Sequence, residues 1–146
     1  AAVTNLRTSP MATARIRVRY VETDQMGVVH HSSYLAWLEV ARTEYLRERG
    51  LSYKEMEAMG IRMPVLKAEV EYRRPALYDD ELLVTARLET VSPVRFTFRY
   101  EVKRAGEGAP LCVASTHHAA SGSDGRARRV PPDILKILGG DIEPSH

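Results

Sequence analysis

The order of periodicities constrains this fold most. A single helical period, running from about Ser33 to Arg49, stands among segments that alternate apolar and polar residues at every second position. Ahead of it, Ile16, Val18 and Tyr20 alternate with Arg15, Arg17 and Arg19, which predicts a half-buried strand over Arg15–Val21. Behind it, Leu66, Ala68, Val70 and Tyr72 face away from Lys67, Glu69, Glu71 and Arg73. Leu82, Val84, Ala86 and Leu88 form the next such run, then Phe96, Phe98, Tyr100 and Val102, then a last strand near Leu111–Ala120. Turn formers separate the runs: Pro75 with Tyr78-Asp-Asp80, Ser92-Pro93, and Gly106-Glu-Gly108. One strand, one long helix and four strands describe an α+β layer architecture, a helix laid on a five-stranded antiparallel sheet. One helix cannot cover both faces of such a sheet, and one edge stays open. Dimerisation by edge pairing is therefore expected from the count of elements.

Within the helix, Tyr34, Leu38, Ala41 and Tyr45 form one stripe with Leu35 and Leu46 beside it, while Arg42, Arg47 and Arg49 are expected outward or near the C-terminal end. Ser32 or Ser33 can cap its start and Gly50 can end it. Ser52-Tyr-Lys-Glu55 reads as a capping box opening a short helix to about Met59, and Pro131–Leu138 as a short terminal helix.

A length of 146 residues fits one domain, expected over 14–140. Residues 1–13 are expected to be a disordered extension, with Met11 as a natural start, and 141–146 a tail. The net charge is only +2 and no basic stripe with interleaved aromatics is present, so nucleic acid is not an expected partner. A lone cysteine, Cys112, permits neither an intrachain disulfide nor a cysteine zinc site, and reads as a small core residue. No apolar run is long enough to span a bilayer and Ala1–Ala14 has no apolar signal core, so a cytoplasmic location is expected. His117 and His118 are adjacent in a strand and point to opposite faces, so no metal site is expected there or at His30 and His31.

The chemistry concentrates in Asp24-Gln-Met-Gly-Val-Val-His-His-Ser-Ser-Tyr34. A carboxylate follows a strand, a glycine stands three residues on, and the longest helix begins next. Backbone N–H groups at a helix start are unpaired and carry partial positive charge. They can polarise a carbonyl, while a nearby carboxylate attacks it or activates a water. The same residues also suit a plain turn, with Asp24 as its cap and Gly27 taking a positive φ.

The stretch Tyr20–Tyr34, the helical Leu-Glu-Val-Ala-Arg-Thr-Glu-Tyr-Leu46 and the turn Glu71–Asp80 resemble the 4-hydroxybenzoyl-CoA thioesterase family, closest to its bacterial acyl-CoA thioesterase branch linked to the Tol–Pal system. The resemblance covers roughly 15–120. It implies a hotdog fold, a sheet wrapped around one long helix, acting without a cofactor as a homodimer doubled into a homotetramer, with active sites at the dimer interface. It places the nucleophile or general base on Asp24 and the carbonyl-polarising N–H on His31. Gly27, Val29, Tyr34 and Glu39 fall at substrate-binding positions, with Glu where some members carry Asp. Arg73 and Arg74 are candidates for the CoA phosphates. The expected reaction is hydrolysis of an acyl-CoA. A hotdog enoyl-CoA hydratase or dehydratase using His31 and Glu39, and a non-catalytic acyl-CoA-binding module, are the alternatives.

Overall fold

The computed structural model describes residues 11–139, together with the backbone of two short strands, Thr4–Leu6 and Pro144–Ser145. In chain order the elements are β1 (Thr4–Leu6), β2 (Ala12–Arg17), α1 (His31–Glu48), α2 (Tyr53–Ala58), β3 (Val65–Tyr72), β4 (Glu81–Val91), β5 (Arg95–Arg104), β6 (Pro110–Ala119), α3 (Pro132–Gly139) and β7 (Pro144–Ser145). The five long strands form one antiparallel sheet in the order β3–β6–β5–β4–β2, and β1 extends it beside β4 with β7 outside it. This is the expected five-stranded sheet with one long helix.

The alternation in sequence becomes an inside and an outside. β4 buries Leu82, Val84, Ala86 and Leu88, β5 buries Phe96, Phe98, Tyr100 and Val102, and the registers Val84↔Val102, Ala86↔Tyr100 and Leu88↔Phe98 bring them side by side. Against this floor α1 lays Tyr34, Trp37, Leu38, Ala41, Tyr45 and Leu46, all at most 3% exposed. Each such large apolar side chain contributes about 1.5–3 kcal/mol when fully buried.

Four expectations need correction. The first strand lies at Ala12–Arg17, so it begins inside the stretch 1–13 expected to be an extension. It stops before Val18 because Tyr20–Glu22 turns into a short 3-10 segment that leaves Tyr20 exposed. Of the extension, residues 11–13 and the backbone of β1 are described, and of the tail the backbone of β7; the rest lies outside the described residues. Leu35, expected beside the buried stripe, is 48% exposed. Arg42, expected outward, is buried. Finally, α1 starts at His31 rather than Ser33, with His30 in the cap position and no side-chain cap, so neither Ser32 nor Ser33 caps it.

β3 differs from its neighbours. Val70 and Tyr72 pair with Ala114 and Cys112 of β6, so they share the inner face; Val70 packs against the core and Tyr72 against His31 and Tyr34, yet each keeps part of its surface open. Leu66 is 52% and Tyr72 39% exposed. Among the described residues β3 pairs only with β6, so its other side is an open edge of the sheet.

Candidate active site

The segment between β2 and α1 is held by its own backbone and by the turn after β3. The Asp24 N–H donates to the Val28 carbonyl and Gly27 N–H to the Asp24 carbonyl, closing a tight loop in which Gly27 takes φ 77°, a left-handed conformation glycine adopts without strain. One carboxylate oxygen of Asp24, Oδ1, accepts from the N–H of Met26 at 2.8 Å and of Val28 at 3.2 Å. The other, Oδ2, has no hydrogen-bond partner among the described residues, and the side chain is exposed. Val29 N–H then donates to Ala76, and Tyr78 N–H to Gly27, tying the loop to the 75–80 turn.

Glu22 anchors the other side of the loop. It is 8% exposed and accepts from the Trp37 indole at 2.8 Å and from the Arg19 N–H at 2.8 Å. Burial alone would raise its pKa, and is the largest single influence. The hydrogen bonds from Arg19 and Trp37 and the Arg19 charge more than offset it, and the pKa is lowered. The backbone carbonyl of Glu22 also accepts from His30 N–H, which fixes where α1 begins. The residue was not among the sequence candidates. Its only local signal is an acid two positions before Asp24, and its partner Trp37 is 15 residues away.

At the start of α1 the Ser33 N–H is taken by the His30 carbonyl, whereas the N–H groups of His31 and Ser32 have no partner among the described residues. The missing cap therefore leaves two donors open at the positive end of an 18-residue helix. The His31 ring stacks on Tyr72, with centroids 4.1 Å apart and planes at 15°, and Tyr34 meets Tyr72 edge-on at 5.0 Å. A cleft of about 220 Å³ opens here, lined by Val28, Val29, His31, Tyr34, Tyr72, Arg73, Arg74 and Pro75. Tyr34 is 2% exposed, so it serves the core and the cleft wall together. Burial raises its pKa.

Val29, His31, Tyr34, Arg73 and Arg74 thus meet around one opening. Asp24 and Gly27 sit in the loop that supplies its Val28–Val29 wall without lining it. Glu39 is exposed on α1, lies outside the cleft, and makes no ion pair among the described residues. Arg73 is paired with Glu71 at 3.2 Å; Arg74 donates to the Ala109 carbonyl and lies 3.7 Å from Glu107. A larger cavity of about 460 Å³ lies between α2 and the 121–125 turn and touches none of the candidate residues.

Cys112, His117 and His118 do not line the cleft. Cys112 is fully buried, and burial pushes its thiol up to about 11, which is wrong for a nucleophile. His117 lies on the outer face beside Glu69, and His118 is buried on the inner face. His118 Nδ1 pairs with the Met63 carbonyl at 3.1 Å and Nε2 with the Thr116 hydroxyl at 2.8 Å. The chain continues through Thr116 to Tyr100 at 2.6 Å and Tyr100 to Arg42 at 3.0 Å, and Arg42 also bonds Tyr53 at 2.9 Å. Arg42 can only donate and a carbonyl can only accept, so His118 carries a proton on Nδ1, and a neutral ring accepting at Nε2 lets Tyr100 and Thr116 each donate along the chain. Burial is the main reason its pKa falls to about 4, and the Arg42 charge adds to it.

Sequence and structure comparisons point one way. The family model of the thioesterase-like superfamily matches residues 18–138. The acyl-CoA thioester hydrolase YbgC of Escherichia coli O6:H1 is 37% identical over 90 residues, spanning 62% of this chain and 67% of the relative. The crystal structure of a hypothetical protein, TT1821, from Thermus thermophilus is similar at a TM-score of 0.81 with 42% identity, covering 87% of this chain and 96% of that one. A DHNA-CoA thioesterase from Staphylococcus aureus is similar at 0.81 with 31% identity, covering 87% of both chains.

Proposed function

This chain belongs to the thioesterase-like superfamily and has its hotdog fold, and from that premise we propose that it hydrolyses an acyl-CoA thioester to the free acid and CoA. The observation that carries this reading is the uncapped start of α1 beside a loop whose carboxylate keeps one oxygen free. The His31 N–H, backed by the helix dipole, polarises the thioester carbonyl and holds the developing oxyanion. Asp24 Oδ2 attacks the carbonyl carbon, giving a mixed anhydride that water then opens, or it takes a proton from the water that attacks. The C–S bond breaks as CoA thiolate leaves. A thiolate leaves readily, so no strong general acid and no cofactor are required. The second oxygen of Asp24, held by Met26 and Val28 N–H, keeps the carboxylate oriented.

Gly27, Val29, Tyr34 and Glu39 are assigned to the substrate. Arg73 and Arg74, exposed at the cleft rim, are assigned to the CoA phosphates. The Escherichia coli relative, an acyl-CoA thioester hydrolase, supports the acyl-CoA class of substrate; membership of the Tol–Pal-linked branch and a cytoplasmic location are part of the proposal, carried by the resemblance of the Tyr20–Tyr34 stretch. A homodimer through the β3 edge, doubled into a tetramer, is supported by that strand's open edge and its exposed Val65 and Leu66. The hydratase reading needs both His31 and Glu39 at the reacting atoms, and Glu39 lies outside the cleft, where it suits only a remote part of the acyl group.

The test is thiol release over a panel of short, long and aromatic acyl-CoAs, with enoyl-CoA hydration followed in parallel. Turnover of at least one panel member to free thiol is expected. Hydration without thiol release, or ligand-induced thermal stabilisation without either reaction, defeats the assignment.

A further inference from the structure

The ring of Tyr72 lies flat on the His31 imidazole, its hydroxyl donates to the His31 backbone carbonyl at 3.1 Å, and Tyr34 braces it edge-on. That carbonyl and the Ser32 N–H are the two ends of one peptide plane. A hydrogen bond to the carbonyl therefore fixes the direction of the Ser32 N–H and, by polarising the peptide, strengthens it as a donor. Ser32 N–H is one of the two open donors at the helix start, and His31 N–H is the other. Tyr72 reaches this point from the end of the edge strand, 41 residues away in sequence, so it is the only contact among the described hydrogen bonds that ties the first peptide of α1 to the sheet.

We propose that Tyr72 is a positioning residue for the acyl transfer: it holds the His31–Ser32 peptide so that both open N–H groups converge on the thioester oxygen. The inference rests on the thioesterase reading above and deepens it, since it makes the oxyanion site a pair of donors with an external brace. Tyr72 need not touch substrate. Its ring and its hydroxyl do separable work, the ring fixing the His31 side chain and the hydroxyl fixing the peptide.

Two variants separate them. Tyr72→Phe keeps the stack and removes the hydroxyl; Tyr72→Leu removes both. With an acyl-CoA that the wild type hydrolyses, Tyr72→Phe is expected to lower kcat about 3- to 10-fold with KM within about twofold, because the lost group acts on the transition state through a neighbouring donor. Tyr72→Leu is expected to lower kcat about 30- to 100-fold, so that the conservative change retains most of the activity the larger change loses. Solution mass should match wild type in both, and Tyr72→Phe should keep the wild-type melting temperature, since it removes one exposed hydroxyl contact and leaves the ring packed on His31 and Tyr34. Wild-type kcat in both variants overturns the proposal. So does a loss of kcat that tracks a fall in melting temperature or in oligomer size. If the wild type itself releases no thiol from any acyl-CoA, the thioesterase reading falls and this inference with it. If the wild type does and the variants equal it, only the inference falls.

Discussion

Helix α1 holds polar groups in two places, and they are arranged in opposite ways. At its middle, Arg42 is buried and every step of the chain through Tyr53, Tyr100, Thr116 and His118 to the Met63 carbonyl is paired. At and just before its first turn, the His31 and Ser32 N–H groups and one oxygen of Asp24 have no partners among the described residues. Buried polar groups must satisfy one another, because each one left over costs about 1–3 kcal/mol. Exposed groups can stay open at little expense, and open donors beside a free carboxylate are what a ligand needs. The contrast separates polarity that builds the core from polarity that is kept for chemistry.

The contrast breaks most readily at Arg42. Arg42→Ala should remove about 3 kcal/mol of stability, because it strands the Tyr53 and Tyr100 hydroxyls and leaves a void where the stem packed. Chemical denaturation measures it, and a loss under about 1 kcal/mol would show that the chain of bonds is not structural. Acid comes next. His118 has a folded pKa of about 4 against an ordinary 6.5, so the unfolded chain binds the proton more tightly. Its contribution is fully present above pH 6.5 and is lost as pH falls towards 4. The difference from neutral pH should reach about 2 kcal/mol at pH 5, and His118→Gln should flatten that slope in a thermal-melt series. Glu22 gives the smallest effect and sharpens the comparison, because it is a paired, buried group at the open end. Glu22→Gln should remove about 1 kcal/mol by setting an amide donor against the Trp37 or Arg19 N–H. The Glu22 pKa is lowered from 4.5, so its own contribution is present above that pH and lost below it, a window more acid than that of His118.

The sequence shows one of these regions better than the other. Strands β4 to β6 are legible because they are covered on one face only, and burial follows the alternation residue by residue. The same alternation misleads at the sheet margin. Leu66 keeps the pattern although it is 52% exposed, and Tyr20 continues the β2 rhythm after the backbone has left the strand. Arg42 reads as a surface residue because its partners are 11 and 58 positions away, and charge alone cannot reveal them. At the site, the loop and helix start are local and visible. Glu22 and Tyr72 also act through partners 15 and 41 residues distant, Trp37 and His31, which local pattern does not pair with them.

Asp24 decides between the two kinds of polarity. As a turn residue it needs only Oδ1, which accepts the Met26 and Val28 N–H groups, and an asparagine can supply that oxygen unchanged. As a nucleophile or base it needs the free, charged Oδ2. One measurement therefore tests the account: thiol release by Asp24→Asn on an acyl-CoA that the wild type hydrolyses, with the melting temperature taken on the same sample. A fall in kcat of about 100-fold or more, with melting within about 2 °C of wild type, is the predicted result. Near-wild-type turnover by a folded Asp24→Asn would contradict it and leave Asp24 a turn residue.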